Sequence, residues 1–141
     1  MKGLSTNQET REREIALSFF SLIAPPKGPM AALRIFDPKC RHHNPYCAPG
    51  MKALFREMAR VQQDVEAKAK TSDMSLDTVF RIKHVLVDGK MVVVYTTLES
   101  KSKSTRSFRQ IHMFRFKGDK VVEYWDITQI EPIAKYSKNM F

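Results

Sequence analysis

The chain has 141 residues, 43% of them apolar and 28% charged, with two cysteines and a formal net charge of +9. This balance excludes a disordered polar tail, and no apolar run approaches the roughly 18 residues of a membrane span. Two cysteines are too few for a disulfide scaffold.

The N-terminus, MKGLSTNQETRERE, has no apolar stretch after its lysine, so a secretory leader is not expected. The sequence reads as one soluble cytoplasmic domain over residues 1–141. Its basic residues are scattered, apart from a knot at Lys101, Lys103, Arg106 and Arg109. No arginine-rich block alternates with aromatics, so nucleic acid is not an expected partner. The knot either solubilises a hairpin or steers an anionic substrate.

The first half has helical spacing. Thr6 or Asn7 can cap a helix running to about Ile23, with Ile15, Phe19 and Leu22 on one face and Pro25-Pro26 as its stop. A short helix follows Pro29 through Met30, Leu33 and Phe36, ended by Asp37-Pro38. Residues 39–49 read as irregular. A third helix covers about Met51 to Lys70, with Leu54, Phe55, Met58, Val61, Val65 and Ala69 as its stripe.

The second half alternates like strands. Val79 to Val87 leads into Asp88-Gly89, a hairpin signal, then Lys90 to Leu98. Glu99 to Ser107 reads as an exposed loop, followed by strands over Phe108 to Phe116 and Lys120 to Ile130 around Gly118-Asp119. Helices first and an antiparallel meander afterwards make an α+β pattern.

Strand alternation singles out polar residues among apolar ones. Asp126 shares a face with Val122, Tyr124 and Ile130, where desolvation of a carboxylate suits it to accept and donate protons near neutral pH. Val121, Trp125 and Ile127 fall on the opposite face, which would suit a buried interface. His84 falls with Phe80, Ile82 and Leu86, and so is expected to point inward. His112, among Phe108, Gln110, Phe114 and Phe116, reads as structural. His42, His43 and Asn44 precede Pro45, where a proline-fixed loop can reach over a pocket. Cys40, His42, His43 and Cys47 match no common zinc spacing, so no metal is expected. There is no glycine-rich phosphate loop and no G-x-S-x-G, so no nucleotide cofactor is expected either.

His43-Asn44-Pro45, Gly50, Asp88-Gly89 and the run FRFKGDKVVEYWD from Phe114 to Asp126 resemble the SnoaL-like polyketide cyclase branch of the NTF2-like superfamily, in order and spacing, from about Ile15 to Pro132. The resemblance implies a cone in which a strongly curved antiparallel sheet folds around three N-terminal helices, with a deep apolar pocket in its mouth. It implies homodimers paired through the outer sheet face. It also makes Asp126 the general acid/base of a ring closure that uses no cofactor and no metal, with His43 and Asn44 lining the pocket. Tyr124 stands where relatives with E-H-W-D carry a histidine.

The function expected on this basis is cofactor-free acid/base chemistry, an aldol-type cyclisation or an isomerisation, on a small apolar ligand containing a carbonyl. Asp126 and His43 are the candidate catalytic residues. Asn44, His84, Tyr95 and Tyr124 are the candidate ligand-binding residues, with His43, Asn44 and either His84 or Tyr95 holding the carbonyl oxygen. Two alternatives stand beside it: a homodimeric binding protein with the same pocket and no turnover, and an interaction module that uses the basic surface.

Overall fold

The structure is a computed structural model that describes residues 6–71, 78–100 and 107–130. Helix α1 (Thr6–Ile23) is followed by a 3-10 helix (Pro29–Ile35), strand β1 (Phe36–His42) and helix α2 (Met51–Thr71). Strands β2 (Thr78–Asp88), β3 (Met91–Ser100), β4 (Phe108–Lys117) and β5 (Lys120–Ile130) complete the fold. The expected knot at Lys101, Lys103 and Arg106 lies outside the described residues.

The α+β class is as the sequence implies, and the five strands form one curved sheet in the order β1-β5-β4-β3-β2. The sheet is mixed rather than wholly antiparallel, because β1 runs parallel to β5. This strand occupies part of the segment expected to be irregular. Phe36 leaves the 3-10 helix already extended, at φ −102° and ψ 141°. Pro38 is tolerated because an edge strand needs ladder bonds on one side only.

The core forms where α1 and α2 meet the sheet. Phe19 is its hub, with the rings of Phe20, Phe36, Phe55, Phe114, Tyr124 and His112 all centred 5.2–6.1 Å away. Ala16, Phe19 and Leu22 of α1 and Met51, Leu54 and Phe55 of α2 are buried at helical spacing. The α2 stripe ends sooner than its sequence suggests, since Val61 is already exposed. On its solvent side Arg60 bridges Glu57 and Asp64.

Two tight hairpins close the sheet. Asp88 pairs with Met91 and Lys117 with Lys120, leaving Gly89-Lys90 and Gly118-Asp119 as the turns. Gly89 and Gly118 sit at φ +57° and +59°, which the first central residue of such turns requires.

Two bulges matter more for the site. On β2 the register slips between Ile82 and His84, leaving Lys83 without a partner. On β5 it slips where Arg115 pairs with Glu123 and Phe116 with Val121, leaving Val122 as the extra residue. One inserted residue reverses which face the following side chains occupy. Val121, just before the insertion and expected on the face opposite Tyr124, therefore shares the inner face with it and is fully buried.

Candidate functional site

The site grows out of the parallel pairing of β1 and β5. Arg41 lies beside Glu123 and His42 beside Tyr124. One more bond, from the His43 N–H to the Tyr124 carbonyl at 3.0 Å, carries the pairing past the end of β1. Alternation then sends His43 to the outer face with Trp125 and Asn44 to the concave face with Asp126.

Asn44 is held in one orientation. Its Oδ1 accepts the Tyr46 N–H at 2.9 Å, and its backbone N–H donates to His42 Nδ1 at 3.2 Å. The side-chain amide therefore turns its Nδ2 donor to Asp126 Oδ2, 3.0 Å away. His42 keeps its Nδ1 as an acceptor because its Nε2–H donates to the Ala48 carbonyl at 2.8 Å. The other carboxylate oxygen, Asp126 Oδ1, is buried and has no partner among the described residues.

Directly across the ladder from Asp126 stands His112 on β4. Its Nδ1 lies 2.8 Å from the Tyr124 hydroxyl in a buried bond. Burial pushes the His112 imidazole down to about 4 and pushes the Tyr124 phenol well above its ordinary value, with the Asp126 charge adding to the latter. At neutral pH the imidazole is uncharged and the phenol keeps its proton. The arrangement that satisfies most groups has the phenol donating to Nδ1, which puts the ring hydrogen on Nε2. His112 Nε2 is buried and has no partner among the described residues. One rung of the sheet thus holds a buried donor and a buried acceptor, both unsatisfied among the described residues.

The surroundings of this rung are graded. Towards the closed end lie Val94, Phe114 and Tyr124, all buried. Phe20 meets the His112 ring edge-on at 5.0 Å, and Phe80, half-exposed, packs on Phe20 at 5.5 Å. Towards the rim, Gln110 Nε2 donates to Thr128 Oγ1 at 3.0 Å.

The remaining candidates lie elsewhere. His43 is not on the concave face: its ring stacks on Trp125 at 4.6 Å and 5°, and its Nε2 meets Glu123 Oε2 at 2.7 Å. That bond from His43, reinforced by Arg115, holds the Glu123 carboxyl below the usual carboxylate range. His84 and Tyr95 face each other on the convex side, ring on ring at 6.1 Å, because the Lys83 bulge turns His84 away from Phe80 and Ile82. Tyr124 is buried and hydrogen-bonded to His112. The residue missed by sequence reasoning is His112, whose partner Asp126 depends on the β5 bulge.

A shallow depression of about 440 Å³ lies on the convex face, lined by residues that include Tyr95, Ile111 and Ile127. A second of about 340 Å³ lies between the Pro25–Met30 segment and α2. Neither is lined by Asp126. Among the described residues, no three His, Cys, Asp or Glu side chains converge to hold a metal. Cys40 is buried with its thiol pushed up to about 12, mainly by that burial, which leaves it protonated and a poor ligand.

Structures with the same fold include an NTF2-like protein of unknown function from Burkholderia xenovorans, 13% identical, with a TM-score of 0.61 over 95% of this chain and 94% of that one. A candidate SnoaL-like polyketide cyclase from Jannaschia is 15% identical, with a TM-score of 0.58 over 88% and 89%. A candidate ketosteroid isomerase from Kribbella flavida is 11% identical, with a TM-score of 0.60 over 95% and 90%. At these identities the likeness establishes the fold alone. No curated protein matches the sequence significantly. The SnoaL-like domain family matches residues 26–124, from the turn after α1 to Tyr124 of the candidate site. The chain belongs to the SnoaL-like domain family and has the NTF2-like fold.

Proposed function

We propose that this protein is a cofactor-free acid/base enzyme acting next to a carbonyl of a small, largely apolar molecule. The observation that carries this reading is the pair of unsatisfied groups, His112 Nε2 and Asp126 Oδ1, on one rung of the concave face. Buried polar atoms without partners are uncommon and costly, so a complementary ligand gains by satisfying both. A carbonyl oxygen accepts from His112 Nε2–H while Asp126 Oδ1 takes a proton from the adjacent carbon. The C–H bond breaks, an O–H bond forms on Asp126, and the electron pair moves onto the carbonyl oxygen, where the histidine donor stabilises it. Returning the proton to a different carbon is isomerisation. Attack of the enolate carbon on a second carbonyl, with the proton delivered to the new alkoxide, is cyclisation. Asn44 keeps Asp126 Oδ2 occupied and so aims Oδ1 at the substrate.

The test measures binding and turnover of cyclic and β-keto carbonyl compounds by wild type and Asp126→Asn. Turnover by the wild type that disappears in the variant, with binding retained, supports the reading. Equal binding by both with no product from either overturns it for those compounds and favours a binding protein built on the same rung. A second copy of the chain is the partner proposed for the convex face, supported by the exposed Leu86, Ile111 and Ile127 there.

A further inference from the structure

We propose that His43, although it faces away from the concave side, is the positioning residue that keeps Asn44 on Asp126. This inference rests on the reading of Asp126 as the acid/base. Asn44 lies beyond the last residue of β1, in a loop that continues into the exposed Pro45 and Tyr46. A side chain on such a loop stays in place only if the chain beside it is anchored to something rigid.

The anchor is on the opposite face of the sheet. His43 lies flat on Trp125 and meets Glu123, and both belong to β5. Its backbone N–H also donates to the Tyr124 carbonyl. The socket is braced by β4, since Arg115 Nε donates to Glu123 Oε1 at 3.0 Å and its guanidinium lies 5.6 Å from the Trp125 ring centre. Arg41, on β1, donates to Glu123 Oε2 at 3.2 Å. Consecutive residues thus grip the two faces of β5, His43 outside and Asn44 inside, and the outer grip fixes where the inner one lands. Removing the His43 ring lets the loop lift, which frees Asp126 Oδ2 and takes away the donor that aims Oδ1.

The test needs no substrate, so its failure is distinct from failure of the proposed function. Hydrogen exchange of the Asn44 side-chain amide is followed by nuclear magnetic resonance, with the signal assigned by its loss in Asn44→Leu. In His43→Ala the exchange is expected to quicken about tenfold, while backbone amides of β4 and β5 keep their protection. His43→Phe, which restores a ring on Trp125, recovers most of the protection. Glu123→Ala, which removes the other half of the socket but keeps the stack, quickens exchange less than His43→Ala does. Fluorescence of Trp125, the only tryptophan in the sequence, shifts to longer wavelength as the ring is uncovered. An Asn44 exchange rate unchanged in His43→Ala, with the fold intact, overturns the proposal. So does a Trp125 shift with no change at Asn44, which would make His43 a cover for the tryptophan and nothing more. With a turned-over substrate, the positioning role lowers kcat and leaves KM in place.

Discussion

His112 and Asp126 face each other across β4 and β5, and each carries a buried polar atom that the described residues leave unsatisfied. Below them the Tyr124 hydroxyl is tied to His112 Nδ1. The tie fixes the imidazole tautomer, so a residue that never meets solvent determines which histidine nitrogen faces the site.

The value of that tie is measurable by a double-mutant cycle. Tyr124→Phe strands His112 Nδ1 and should cost about 1–3 kcal/mol. His112→Phe removes the unsatisfied Nε2 but strands the Tyr124 hydroxyl, so it is destabilising as well. The double variant strands neither, and urea unfolding should find it less destabilised than the sum of the singles by on the order of 1 kcal/mol. Additive singles would mean that the bond contributes nothing to stability.

Acid should expose the same histidine. Burial lowers His112 from an ordinary 6.5 to about 4 in the folded chain. Between those values the unfolded chain binds a proton that the folded chain refuses. The stability due to the neutral histidine is therefore complete above about 6.5 and is lost as pH falls towards about 4. The loss is on the order of 3 kcal/mol. Unfolding free energies of wild type and His112→Phe, measured from pH 7 to 4, should diverge by about that much, with the wild type falling faster. Parallel curves would place the titration elsewhere.

The thiols make a contrast within one short segment. Cys40 is buried, and its thiol is pushed up to about 12, so a thiol reagent at mildly alkaline pH should reach it only after unfolding. Cys47 is half-buried and raised to a smaller degree, by burial first and then by Glu57 and Asp126. It should react slowly in the native protein. One thiol titrating natively and two in denaturant is the expected count, and rapid reaction of both would show that β1 opens easily.

The sequence made the helices, the hairpins and the inward place of Asp126 legible because periodicity and turn residues are local signals. It did not reveal the candidate site as a whole, because one inserted residue builds the rung and another turns His84 away from it. Counting back from the Gly118-Asp119 turn without a bulge pairs His112 with Trp125, and only the extra Val122 brings His112 opposite Asp126. Lys83 has the converse effect on His84, whose place with Phe80 and Ile82 holds only for an unbroken strand. The H-N-P segment misled for a related reason. Its first residue looked like the functional histidine, but β1 continues far enough for alternation to turn His43 outward and hand the inner position to Asn44. That β1 is a strand at all depends on its pairing with β5, some 80 residues away, which no local pattern encodes.

The convex face should be separable from the concave one. Leu86 is 65% exposed, Ile127 57% and Ile111 38%, and His84 and Tyr95 stack on the same side. If a second copy covers this face, sedimentation equilibrium should find the wild type dimeric, and Ile127→Lys, which sets a charge in the middle of the apolar area, should find it monomeric. His84→Ala removes only one ring of the outer stack and leaves the rung of His112 and Asp126 intact, so turnover should stay within about twofold of wild type. A monomeric wild type would remove the second copy as the partner of this face. A large loss of turnover in His84→Ala, with the dimer intact, would mean that the chemistry lies on the convex side and that the concave rung is structural.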